Sequence, residues 1–188
     1  MNSTIKNLAM AYVGESQAIK RYFRYAKVAK KEGLEQISEI FTITAANEQE
    51  HASWFLKMLR TLSKENLTVE TDVVVELGTT EENLQTSING EAHEHEDLYP
   101  EFSRVAKEEG FDEISKRIDA IILSEKHHKE RFQKLLNELK NNSLQDKEED
   151  TVWFCRKCGY ETTAKSAPEE CPSCSHPKGY FQVQNEKY

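Results

Sequence analysis

One short pattern occurs twice in this chain, 77 residues apart: Glu48-Gln-Glu-His51 and Glu125-Lys-His-His128. Each copy has a Gly-Glu pair upstream, Gly14-Glu15 for the first and Gly90-Glu91 for the second. On a helix, Glu and His three residues apart lie one turn apart on one face, so a carboxylate oxygen and an imidazole nitrogen can reach one ion together. One Glu from each of two helices, with a Glu-x-x-His from each of the other two, is the donor set of a carboxylate-bridged two-metal site inside a four-helix bundle. The chain must therefore bring four helices together around these six residues.

The surroundings repeat as well. Ala29-Lys-Lys-Glu-Gly33 returns as Ala106-Lys-Glu-Glu-Gly110, Ile37-Ser38 as Ile114-Ser115, and Tyr22 as Tyr99, all at the offset of 77; Glu15 and Glu91 are the exception, at 76. Residues 1–142 thus read as two helical hairpins of one design, each giving half of a site. Apolar residues at three- and four-residue steps predict a helix over roughly 3–31, stopped by Gly33, and a second over about 34–63. A third starts near Thr80, where a hydroxyl and Glu81-Glu82 form a capped, acid-rich end, and stops at Gly110. Pro100 removes a backbone donor in mid-run and should kink it. The fourth covers about 112–141. Lys64 to Thr79 is too long for a hairpin turn and reads as a crossover along the bundle.

In this arrangement Glu48 and Glu125 bridge two metals, Glu15 and Glu91 are terminal oxygen ligands, and His51 and His128 supply nitrogen. Four carboxylates match the charge of two divalent ions, and the mixed oxygen and nitrogen donors suit iron or manganese. Four buried carboxylates without cations would be strongly unfavourable. Asn47 and Ser124 each precede a bridging Glu and are expected to orient an imidazole from the opposite hairpin. His93, His95 and His127 fall on other helical faces and read as solvated. Glu94, one turn after Glu91, is either a seventh ligand or part of the acidic run up to Asp97.

At 188 residues, 31% of them charged, the chain is long enough for one good core and a small module. No apolar run approaches the ~18 residues of a membrane span, and a net charge of −8 argues against a nucleic-acid partner. The first residues lack the basic and then apolar character of a secretory signal, so a cytoplasmic location is expected. All four cysteines lie near the C-terminus, as Cys155-Arg-Lys-Cys158 and Cys171-Pro-Ser-Cys174. Two such knuckles offer four thiolates to one tetrahedral ion, and read alone they serve equally for a structural zinc ribbon or an iron tetrathiolate. The polar, charged stretch before them reads as a linker, giving expected domains 1–142 and 152–188 joined by 143–151.

Taken together, Gly14-Glu-Ser-Gln17 with Tyr22, Glu48-x-x-His51, Gly90-Glu-x-x-Glu94 with Tyr99-Pro100, Glu125-x-x-His128, and Cys155-x-x-Cys158-Gly-Tyr with Cys171-Pro-x-Cys174 resemble the rubrerythrin family over nearly the whole chain. The resemblance implies a mainly α, ferritin-like di-iron bundle followed by a small rubredoxin-like Fe(Cys)4 domain. It implies a peroxidase that reduces hydrogen peroxide to water in anaerobes or microaerophiles, fed by a rubredoxin or an NAD(P)H-linked reductase. It also implies that Glu94 is a ligand which exchanges with His51 as the site changes oxidation state. Tyr22 and Tyr99 are candidates to hydrogen-bond a ligand carboxylate or the departing oxygen. Because the linker begins on the order of 24 Å along the fourth helix from Glu125, the expected working unit is at least a homodimer, with electrons passing between chains. Iron storage or ferroxidase activity, and a bundle with a zinc-ribbon tail, are the competing readings.

Overall fold

The glycine at the end of each hairpin sets the architecture. Gly33 and Gly110 both have φ in the left-handed region, +77° and +83°, which a side chain would disfavour. Behind them the same bond recurs at the same offset: Leu34 N–H donates to Ala29 C=O, and Phe111 N–H to Ala106 C=O. The computed structural model describes residues 2–185, so the expected outer domain limits Met1 and Tyr188 lie outside the described residues. Its helices are α1 (Ser3–Lys31), α2 (Glu35–Leu62), α3 (Thr80–His93), α4 (Tyr99–Glu108) and α5 (Asp112–Lys140). α1 pairs with α2 along its length, and α3 with α4 lies along α5, so the bundle is two hairpins face to face.

The third helix of the bundle is α3 and α4 joined by a π-helical turn, Glu94–Leu98, in which Tyr99 N–H donates to Glu94 C=O. A π turn holds one more residue than an α turn. That residue is the slip in the repeat: Tyr22 follows Glu15 by seven positions, whereas Tyr99 follows Glu91 by eight. The kink expected at Pro100 is therefore replaced by a local widening just before it. Pro100 falls in the first turn of α4, where a missing N–H is tolerated.

Two apolar clusters hold the bundle, each drawing side chains from both hairpins and including one aromatic ring of the repeat from the opposite hairpin. Tyr22, Tyr25, Ile37 and Phe41 of the first hairpin pack with Phe132 of α5. Their counterparts Tyr99, Phe102, Ile114 and Ile118 pack with Phe55 of α2. Exchange of Phe55 and Phe132 locks the hairpins together, since burying such a ring is worth about 1.5–3 kcal/mol. The crossover runs back over α1, tied by Gln17 Nε2 to Asp72 C=O (3.1 Å) and Tyr25 Oη to Glu76 C=O (2.9 Å). Val73 and Val75 remain exposed on it. Among the described residues no helix is long and apolar enough to cross a membrane.

The C-terminal module is a three-stranded antiparallel sheet, β1 (Asp146–Cys155), β2 (Glu161–Ser166) and β3 (Phe181–Val183), with β1 in the centre. β1 begins inside the stretch read as a linker, and Leu144 before it is buried in the first apolar cluster. Trp153 and Phe181 are fully buried around the cysteines, and Trp153 Nε1 donates to Ala164 C=O. The module rests on the α1–α2 turn. Arg156 pairs with Glu39 of α2, and Gly179 approaches the Gly33 carbonyl so closely that a Cβ would collide with it.

The start of α1 has no acidic residue in its first turn, and Glu109, between α4 and α5, supplies the missing charge. Its two oxygens accept from Ser3 N–H (2.9 Å) and Thr4 N–H (2.8 Å), which holds its carboxyl below the usual range. A carboxylate depressed in the folded state adds stability above its unfolded pKa and loses it as pH falls through the folded value. Glu109→Gln is accordingly expected to lower the melting temperature at neutral pH, with the gap to wild type closing below about pH 4. Thermal melts across pH test this; a gap that persists in acid would refute the charge assignment.

Candidate metal centres

All four carboxylates of the repeat are buried, each 1% exposed or less, and come from all four helices of the bundle: Glu15 from α1, Glu48 from α2, Glu91 from α3 and Glu125 from α5. They form two overlapping groups with the imidazoles, Glu15, Glu48, His51 and Glu125 in one, and Glu48, Glu91, Glu125 and His128 in the other. Glu48 and Glu125 belong to both. Each gives a different oxygen to each imidazole: His51 Nδ1 lies 3.0 Å from Glu48 Oε2 and 2.9 Å from Glu125 Oε1. His128 Nδ1 lies 3.1 Å from Glu48 Oε1 and 2.9 Å from Glu125 Oε2. That is the geometry of two carboxylates bridging two positions.

The donors are arranged for cations and poorly satisfied without them. Glu15 Oε2, both oxygens of Glu48, Glu91 Oε2 and Glu125 Oε1 are buried with no hydrogen-bond partner. His51 Nδ1 is buried with them, one oxygen of Glu48 and one of Glu125 lying within 3.0 Å of it. Burial, then the charges of Glu48, Glu94 and Glu125, push the Glu15 carboxyl well above its ordinary range. Burial and Glu48 push Glu91 up to about 8. Burial opposes charge on the imidazoles, but the carboxylates at Nδ1 overcome it and raise His51 to about 9 and His128 to about 12. A proton on each ring thus stands where a cation would, and the residues fit a pair of divalent ions.

The two tyrosines reach across the repeat. Tyr22 Oη donates to Glu91 Oε1, and Tyr99 Oη donates to Glu15 Oε1 at 2.5 Å. Burial and the neighbouring carboxylates raise both phenols, so both stay protonated donors. Glu94 belongs to neither donor group among the described residues; it is half-buried beside them, its carboxyl raised by burial and by Glu91, Glu125 and Glu48. The orienting role expected of Asn47 and Ser124 is not what the structure shows. Asn47 is exposed and Ser124 half-buried, because a residue adjacent to a buried Glu is turned about 100° around the helix. The polar neighbour is instead Arg131, one turn after His128, whose Nη2 donates to Thr44 Oγ1 at 2.6 Å. Its signal in sequence was a mismatch in the repeat, since the residue 77 positions earlier is Trp54. His93 and His127 are exposed as expected, whereas His95 is half-buried with Nε2 3.2 Å from Glu96.

In the small module the four cysteines converge. Cys155 Sγ is 3.8 Å from Cys174 Sγ, and Cys158 Sγ is 3.6 Å from Cys171 Sγ. A tetrahedral ion with metal–sulfur bonds of ~2.3 Å sets sulfurs ~3.8 Å apart, so the spacing is that of a tetrathiolate and far too long for a disulfide. Cys158 is exposed, and the Tyr160 N–H at its sulfur lowers its thiol to about 6, while burial and the other thiols push Cys174 up to about 12.

Residues 6–136 match the family described as rubrerythrin. The chain belongs to that family. Residues 153–182 match its rubredoxin-like domain, described as rubrerythrin, rubredoxin-like domain. The rubrerythrin of Porphyromonas gingivalis is 42% identical, over 100% of this chain and 92% of its own. That of Nitratidesulfovibrio vulgaris is 39% identical, over 96% and 93%. Among solved structures, nigerythrin in a partially reduced state superposes with a TM-score of 0.66 at 31% identity, covering 98% of this chain and 88% of that one. A bacterioferritin of Desulfovibrio desulfuricans shares the bundle fold, with a TM-score of 0.69 at 22% identity over 74% of this chain and 81% of its own. The expected ferritin-like bundle and rubredoxin-like domain are therefore present. The Glu/His cluster is the di-iron carboxylate site of a rubrerythrin, and the cysteines form its rubredoxin-like iron site.

Because Glu48 and Glu125 are shared by both donor groups, Glu48→Ala or Glu125→Ala is expected to deplete both bundle ions, whereas Glu91→Ala should weaken mainly the His128 side. Metal analysis of each variant, with the tetrathiolate spectrum as internal reference, checks this; two retained bundle ions in Glu125→Ala would contradict the shared-ligand geometry.

Proposed function

We propose that this rubrerythrin-family chain is a non-haem di-iron peroxidase that reduces hydrogen peroxide to water. Glu48 and Glu125, common to both donor groups, would hold both ions, Glu15 and Glu91 would each add a carboxylate to one of them, His51 and His128 would supply nitrogen, and Glu94 lies beside them as a further carboxylate. The single observation that carries the reading is the presence, in one chain, of a buried pair of bridgeable metal positions and a separate tetrathiolate centre. Two ferrous ions, when bound, supply the two electrons that cleaving a peroxide O–O bond takes. Hydrogen peroxide, two electrons and two protons then balance as two waters. The protein's own residues set the stage for this. Apolar clusters flank the four buried carboxylates, and the Tyr22 and Tyr99 hydroxyls fix the orientation of Glu91 and Glu15, leaving one oxygen of each for an ion.

Electrons enter through Cys155, Cys158, Cys171 and Cys174, from a rubredoxin or an NAD(P)H-linked reductase in the cytoplasm. Within one chain the module is held against Glu39, nine residues of α2 before Glu48, which puts about 13 Å of helix between them. Electron tunnelling falls steeply over such a gap. A homodimer that lays one chain's module beside its partner's bundle shortens the path, and the exposed Val73, Val75 and Leu123 offer apolar surface for association.

Aerobically purified protein is expected to be red from a ferric tetrathiolate and to consume hydrogen peroxide when supplied with electrons through the module. Colourless, zinc-loaded protein without peroxide turnover would favour a structural zinc tail and defeat this reading. Transfer between chains has its own test. Mixing Cys158→Ser and Glu125→Ala chains under subunit exchange should restore turnover, and verified heterodimers that stay inactive would assign the transfer to one chain.

A further inference from the structure

The internal repeat calls for equal surroundings at the two imidazoles, and the structure departs from that on one side. One turn after His128, which is almost fully buried, Arg131 Nη2 donates to Thr44 Oγ1 and ties α5 to α2. The residues at the same places in the other half are Trp54 and Ile121. Beside this exchange of a linked polar pair for an indole and an aliphatic side chain lies a cavity of about 350 Å3, walled by Glu50, His51, Ser53, Trp54, Lys57, Arg117 and Ile121. The His51 side chain is 14% exposed, against 3% for His128 and 1% or less for the four carboxylates. A larger cavity of about 560 Å3 beside the crossover touches none of the six donors.

The wall of the His51 cavity has a built shape. Trp54 is braced from inside by Phe55, edge-on at 5.2 Å between ring centroids. From outside the Arg117 guanidinium lies over the indole, 5.8 Å from its centroid. The cavity is much larger than the roughly 30 Å3 a water molecule takes in the liquid, so a two-oxygen molecule fits inside it, and the indole and Ile121 line it together with His51. We propose that this cleft is the port through which small polar ligands of the ions enter, hydrogen peroxide among them, and that Trp54 with Arg117 sets its width. The substrate named here rests on the peroxidase reading above; the port itself is an inference from the broken symmetry at His51.

A port residue changes the height of an entry barrier and leaves the bound state alone, so it alters association and dissociation by one factor and spares the equilibrium constant. The probe is sodium azide, mixed by stopped flow with oxidised, iron-loaded protein in about 1 M salt, where screening within ~3 Å removes the effect of altered surface charge. Ser53→Trp, which fills the mouth from an exposed position, is expected to slow both azide rates roughly tenfold with unchanged Kd and iron content. Arg117→Ala, which frees the indole, should speed both rates and raise kcat/KM for tert-butyl hydroperoxide relative to hydrogen peroxide. Lys57→Trp on the same rim replaces Ser53→Trp should that variant misfold. Unchanged azide rates in the filled variants overturn the port, as does an affinity change carried by dissociation alone. If the azide rates respond while wild-type protein turns over no peroxide, the port stands and the peroxidase reading falls. If peroxide turns over while the azide rates ignore the rim, the reverse holds.

Discussion

The repulsion among four carboxylates buried at the middle of a helical bundle governs this structure. Removing one such group from water is costly, and placing four within reach of one another multiplies the cost unless positive charge sits between them. Everything nearby serves that requirement. The two imidazoles stand at the shared oxygens, two phenols satisfy the outer oxygens of Glu15 and Glu91, and the aromatic clusters on either side make the position of each helix stiff enough to keep the oxygens convergent. The apolar core and the charged centre are therefore not separable features. The rings set the spacing of the helices, and the spacing decides whether the oxygens share ions or repel.

Much of this was legible in the sequence because the relevant residues carry two signals at once. Glu48, His51, Glu125 and His128 have ligand chemistry at helical spacing and recur at a fixed offset, and the turn glycines recur with them, so the helix limits fell within a residue or two of the observed ones. The cysteine knuckles were equally plain, since their spacing alone brings four sulfurs to one point. Hidden features depended on contacts between distant segments. The Arg156–Glu39 pair, the packing of Gly179 on Gly33 and the capping of α1 by Glu109 leave no local pattern, because each joins residues from segments that are unremarkable by themselves. The expectation for Asn47 and Ser124 failed for a related reason. Adjacency in sequence to a buried ligand places a side chain on a different face of the helix, and the polar group that matters, Arg131, sits one turn away instead.

The module's contact with the bundle shows how a small domain is held where the core is already complete. Its sheet packs the cysteine loops around its own buried Trp153 and Phe181. The bundle contributes one carboxylate, a close backbone approach at a glycine turn, and cover for Leu144. Such a contact orients the tetrathiolate with little apolar burial, which suits a centre whose exposed Cys158 faces outward.

The one-residue insertion that forms the π turn bears on the history of the chain. Two hairpins that arose by duplication would at first have been exchangeable, each able to replace the other without loss. With an extra residue between Glu91 and Tyr99, and with Glu94 where the first half carries Ala18, that exchange no longer works. Recombination that copied the first hairpin over the second would restore a regular helix there and delete a carboxylate from beside the ions. The insertion thus acts as a ratchet, after which each half of the bundle is committed to its own role and the order of the two along the chain is fixed.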